Sequence, residues 1–81
     1  MSTTITEEQI EKTVMQSLET FGADPEHIAP EATFEALDID SLDLAELSQI
    51  VHDQFGVELK GSDVADIKTV DDAVKLIASR A

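Results

Sequence analysis

Apolar residues in this chain fall into short blocks with helical spacing, and residues that start or stop helices bound each block. Ile10, Val14, Leu18 and Phe21 follow at intervals of four, four and three, one stripe on a helical period that Met15 widens. Thr6-Glu7-Glu8-Gln9 stands before it as a capping box, and Gly22 stands after it as a stop, so a helix is predicted over about 7–21. A second stripe, Leu44, Leu47, Ser48, Val51 and Phe55, predicts a helix from Ser41 to Phe55, with Asp40 as N-cap and Gly56 just beyond. Val70, Ala73, Val74, Ile77 and Ala78 form the last stripe, behind the cap signature Thr69-Val70-Asp71-Asp72 and ending near Arg80. Between them, Val57-Glu58-Leu59 is a short apolar link. Ser62 is expected to cap a short turn through Ile67, with Val64 and Ile67 facing inward. The predicted fold is all-α, a small bundle of three main helices plus one short helix.

The first and second helices are joined by a long connection, residues 23–40. Asp24-Pro25 and Ala29-Pro30 disfavour helix there. Ile28, Phe34, Leu37 and Ile39 are apolar, which predicts a loop pinned to the bundle. Structureless connections of this length are uncommon in small domains and often serve function. This one delivers Ser41 to its helix.

Eighty-one residues are expected to make a single domain, 1–81, with a modest core. Cysteine is absent, which removes disulfides, thiolate catalysis and cysteine-based zinc sites. The first residues have neither a basic nor an apolar signal region, and no run approaches the ~18 apolar residues of a membrane span. A soluble, cytoplasmic monomer is expected. Eighteen Asp and Glu against five Lys and Arg give a net charge of −13. Such a surface repels nucleic acid and anionic membranes, and attracts basic surfaces of other proteins.

Ser41 lies between Asp40 and Leu42-Asp43, where the polar loop becomes the second helix. No histidine or lysine is near enough in sequence to activate its hydroxyl, and the neighbouring carboxylates oppose oxyanion chemistry. A serine in that setting is better suited to being modified by another enzyme than to catalysis. The Asp40-Ser41-Leu42 core, its continuation Asp43-Leu44-Ala45-Glu46-Leu47, the helix exit Phe55-Gly56-Val57 and the segment Lys68-Thr69-Val70 resemble the acyl carrier proteins over nearly the whole chain. The resemblance implies a non-catalytic carrier. Ser41 would bear a 4′-phosphopantetheine arm derived from coenzyme A, with Asp40 and Leu42 flanking the attachment point. It also implies a phosphopantetheinyl transferase as partner, together with ketosynthase, acyltransferase and other synthase enzymes presenting basic docking surfaces. Two positions depart from the family's pattern. Asp38 stands where a glycine is common, which bears on the loop's backbone. Lys60-Gly61-Ser62-Asp63 replaces a more acidic start of the third helix, which bears on the choice of partner.

Leu42, Asp43, Ala45, Glu46, Gln49 and Asp53 share the outward side of the second helix and are expected to dock partners. Leu47, Ser48 and Val51, with Ile67 from the third helix, are expected to line the space that receives the acyl chain. Ser48 is a hydroxyl on a core stripe, and bonding back to its own helix carbonyl is the simpler account of it. Asp38-Ile39-Asp40 begins like a calcium loop, but Asp43 stands where that loop needs glycine and Gln49 where it needs glutamate, so no metal site is assigned. His27 and His52 lie in different elements without companion ligands. Fatty-acid or polyketide service stays open at this point. So does a different class, an acidic helical interaction module without a covalent cofactor.

Overall fold

The computed structural model describes residues 6–81. Four helices follow in order: α1 (Glu7–Thr20), α2 (Ser41–Phe55), α3 (Gly61–Asp66) and α4 (Val70–Arg80). Each long helix begins where local chemistry predicts. Thr6 accepts from the Gln9 N–H at 3.2 Å while the Gln9 side chain accepts from the Thr6 N–H at 3.1 Å. At α4, Thr69 accepts from the Asp72 N–H at 3.1 Å. The Asp72 carboxylate accepts from the Lys68 and Thr69 N–H groups, both at 3.2 Å, and these two bonds hold its pKa below the ordinary value. The ends agree as well. Phe21 caps α1 ahead of Gly22, and Gly56 closes α2 in the left-handed conformation at φ 70°.

α3 starts two residues earlier than expected, and Ser62 is not its cap. Lys60 occupies the cap position, and the Asp63 carboxylate reaches back to accept its N–H at 2.9 Å. Arg80 also holds Asp63 from the end of α4, with Nη1 and Nη2 donating to its two oxygens at 2.7 and 2.9 Å. That ion pair is the main reason Asp63 titrates near 2 instead of 3.8, and the Lys60 N–H adds to it.

The core is one cluster drawn from α1, α2, α4 and the segments that connect the helices. Ile10, Val14 and Leu18 of α1 meet Val70, Ala73, Val74 and Ile77 of α4 within it. Leu47 and Val51 of α2 enter from one side, and Val57 and Ile67 close the end near α3. Each fully buried aliphatic side chain of this kind contributes roughly 1.5–3 kcal/mol.

The long loop is pinned, as its apolar residues predict. Phe34, Leu37 and Ile39 are buried and Ile28 is half-buried. Its backbone is also tied to the start of α4. The Phe34 N–H donates to the Lys68 carbonyl at 3.0 Å, Val70 to Ala32 at 3.0 Å and Asp71 to Pro30 at 2.8 Å, around an isolated Thr33–Thr69 bridge. Among the described residues this bridge is not extended into a strand, and the fold is all-α.

Candidate functional site

The loop reaches α2 through a tight turn. The Leu37 N–H donates to the Thr33 carbonyl at 3.2 Å and the Ile39 N–H to the Phe34 carbonyl at 2.9 Å, so two buried side chains fix its path. Between them Asp38 takes φ 59°, a left-handed conformation that glycine adopts at no steric cost. Asp40 is then extended and caps α2, accepting from the Asp43 N–H at 2.9 Å. Asp43 returns the bond by accepting from the Asp40 N–H at 3.4 Å. Both flanking carboxylates are therefore committed to the helix start.

Ser41 is the first residue of α2 and is exposed. Position explains why its hydroxyl stays available. Ser17, Thr20, Ser48 and Ser79 each donate to a carbonyl three or four residues earlier in their own helix. At the first residue no preceding turn exists to accept such a bond. Among the described residues, no side-chain hydrogen bond engages the Ser41 hydroxyl. The free backbone N–H groups of a helix start also favour an anion at this point.

A groove of about 420 Å³ opens beside Ser41. Ser41, Ala45 and Ser48 form its α2 side, and Leu59, Lys60, Gly61 and Val64 face them. It runs on into a hollow of about 330 Å³ that shares Ala45, Ser48 and Leu59 and reaches Gln49 and His52. The Ser48 hydroxyl donates to the Leu44 carbonyl at 3.0 Å, the simple local bond expected of it, while the side chain also borders the groove.

Of the four residues expected to line the acyl space, Ser48 alone borders the groove at Ser41. Leu47 and Val51 lie in the core, 1% and 0% exposed. Ile67 borders a separate hollow of about 440 Å³ with Phe34, Ile39 and Leu44. Val64 is half-buried and turns toward the groove. Leu59 and Gly61 were not anticipated. The signal for Leu59 was the alternation of Val57 and Leu59 around exposed Glu58, which sends both apolar side chains inward from an extended segment.

The outward side of α2 carries Leu42, which is 78% exposed and, among the described residues, the one large apolar side chain left in solvent. Glu46, Gln49 and Asp53 are exposed around it, and Gln49 donates to Asp53 at 3.1 Å. Asp43 is half-buried because its carboxylate turns back to the cap. Ala45 is exposed at the boundary between this face and the groove. His27 and His52 are brought together with no metal-binding group among the described residues.

Comparison with known proteins agrees with this geometry. Residues 12–77 match a family model described as the phosphopantetheine attachment site. An acyl carrier protein from Nitratidesulfovibrio vulgaris strain DP4 is 39% identical over 75 residues, covering 91% of this chain and 95% of that protein. One from the Miyazaki F strain of the same species is 40% identical with the same coverage. One from Thermosynechococcus vestitus is 36% identical over 74 residues, covering 90% of this chain and 91% of that protein. With a family match over most of its length and relatives of this identity along nearly all of it, the chain belongs to the acyl carrier protein family.

Proposed function

We propose that Ser41 is the attachment residue of this carrier and that the groove beside it shelters the acyl cargo. As an acyl carrier protein the chain is a non-catalytic carrier, and phosphopantetheine is its prosthetic group. When bound, that group supplies the thiol on which acyl intermediates ride as thioesters, which a chain without cysteine cannot supply itself. The residues at the start of α2 fit it. Ser41 has an exposed hydroxyl with no side-chain hydrogen bond among the described residues, and the helix start offers N–H groups to a phosphodiester.

The attaching enzyme in this reading is a phosphopantetheinyl transferase. The Ser41 oxygen forms a new bond to phosphorus as the pyrophosphate of coenzyme A breaks, its adenosine bisphosphate portion leaves, and the serine proton passes to a base of the transferase. Asp40 serves by holding Ser41 at the first helical position, and Leu42 is the apolar contact next to it. Leu42, Asp43, Ala45, Glu46, Gln49 and Asp53 form the docking face for basic surfaces on ketosynthase, acyltransferase and other synthase enzymes. The net charge of −13 supports steering of that kind.

Residues 1–81 are taken as one carrier domain acting as a monomer in the cytoplasm, a reducing setting suited to a cysteine-free chain. Among the described residues no helix is long and apolar enough to cross a membrane. Separate fatty acid synthase enzymes are the proposed users of the cargo. For the cargo, Ala45, Leu59 and Val64 provide apolar wall, and burial there is worth roughly 0.8 kcal/mol per methylene when complete.

The observation that carries this reading is the exposed Ser41 hydroxyl, without a side-chain hydrogen bond among the described residues, on the wall of the groove. Incubation with coenzyme A and a phosphopantetheinyl transferase tests it by intact mass. Wild type should gain one arm and Ser41→Ala none, with helical circular dichroism unchanged. Modification of Ser41→Ala to the wild-type extent would refute it.

A further inference from the structure

The wall of the groove opposite α2 has little of its own to hold it. α3 has six residues and none of them is buried. A helix that short does not persist without outside support. Ile67 anchors its far end in the core, but Leu59, Lys60 and Val64, on the groove side, are half-buried or exposed.

The support comes from the end of α4. Arg80 donates from both Nη atoms to Asp63, at 2.7 and 2.9 Å, and Nη1 also donates to the Glu58 carbonyl at 3.1 Å. Asp63 in turn accepts the Lys60 N–H at 2.9 Å. One guanidinium thereby holds the residue before Leu59, the cap of α3 and the first turn of α3. The planar fork of arginine suits this task, since it meets two carboxylate oxygens in fixed directions. Arg80 is not part of the core: the buried face of α4 ends at Ile77, and the Arg80 side chain is 39% exposed.

We propose that Arg80 is a positioning residue for the cargo: its guanidinium fixes the outer wall of the groove, and so sets how firmly an acyl chain attached through Ser41 is held. The proposal rests on the reading of Ser41 and the groove given above. With the clamp closed, an acyl chain touches α2 on one side and Leu59 and Val64 on the other. With the clamp open, residues 58–66 move independently of α2 and the chain loses contacts along one side.

The test uses wild type, Arg80→Ala, Arg80→Lys and Asp63→Asn, each with the unacylated arm and with an octanoyl-loaded arm. The quantity of interest is the gain in melting temperature from octanoyl loading within each variant. Wild type should gain. Arg80→Ala and Asp63→Asn, which break the clamp from opposite ends, should retain about half of that gain or less, and Arg80→Lys should fall between. In the unacylated Arg80→Ala protein, amides of residues 60–66 should exchange about tenfold faster or more, while those of α1 and α2 keep their wild-type rates. Equal lowering of both melting temperatures, with the octanoyl gain intact, would assign Arg80 a purely structural role and overturn the proposal. No octanoyl gain in wild type would instead overturn the groove reading, and this proposal with it.

Discussion

Replacement of Asp38 by glycine is expected to stabilise the protein, against the usual outcome of inserting a glycine. Asp38 has φ 59°, in the region where a Cβ crowds the following carbonyl. The penalty for a side chain there is roughly 1–2 kcal/mol, toward the lower end for aspartate, which tolerates the conformation better than most residues. Glycine removes the penalty but adds freedom to the unfolded chain, which costs about 0.5–1 kcal/mol. The balance is a gain of up to about 0.5 kcal/mol, or at most roughly 2–4 °C in a domain of this size. Asp38→Gly also removes one negative charge from a chain at −13, so Asp38→Asn is the control that removes charge alone. Asp38→Val keeps a side chain and branches it at Cβ, and should lower the melting temperature by about 4 °C or more. Thermal unfolding followed by circular dichroism reads all three. A lower melting temperature for Asp38→Gly than for Asp38→Asn, or no loss for Asp38→Val, would show that the backbone at this position is not under strain.

Asp40→Ala should cost about 1 kcal/mol in urea unfolding, because it leaves the Asp43 N–H without its acceptor at the start of α2. Glu46→Lys should slow association with a basic synthase partner several-fold in stopped-flow kinetics, and the wild-type rate should fall as salt rises; salt-independent rates with no effect of the reversal would exclude this docking face. Asp63 titrates near 2 when folded against 3.8 as a free carboxyl, chiefly because Arg80 donates to it. A depressed pKa means stabilisation that is complete above 3.8 and lost as the pH falls through about 2. The difference in melting temperature between wild type and Arg80→Ala should therefore be constant from neutral pH to about 4 and shrink as the pH falls toward 2, leaving only the part due to the Glu58 carbonyl bond; a difference that does not change across this window would dissociate Arg80 from Asp63.

Sequence and structure agree wherever the determining chemistry is local. Thr6 and Gln9, Asp40 and Asp43, and Thr69 and Asp72 each close a cap within three residues, so the starts of the three long helices can be read directly. The availability of Ser41 is equally local, since it follows from being the first residue of a helix. The start of α3 is different, because Asp63 accepts the Lys60 N–H three residues back and is also paired with Arg80, 17 positions away. The ties between the loop and α4 run through backbone groups of Pro30, Ala32 and Phe34 and carry no side-chain signature. The groove belongs to neither helix alone. Leu47 and Val51 were expected there because they share a stripe with Ser48, yet the stripe is wide enough that its centre lies in the shared core while only its edge reaches the groove lined by Leu59 and Val64.

Mapping the modified residue decides whether Ser41, and no other hydroxyl, carries the cargo. Wild-type protein loaded from octanoyl-coenzyme A by a phosphopantetheinyl transferase is digested, and the peptides are fragmented by electron-transfer dissociation, which leaves the arm in place. One octanoyl-phosphopantetheine group is expected, on Ser41, with Ser48 and Ser62 unmodified in the same digest. An arm found on Ser48, Ser62 or any residue other than Ser41 would contradict it.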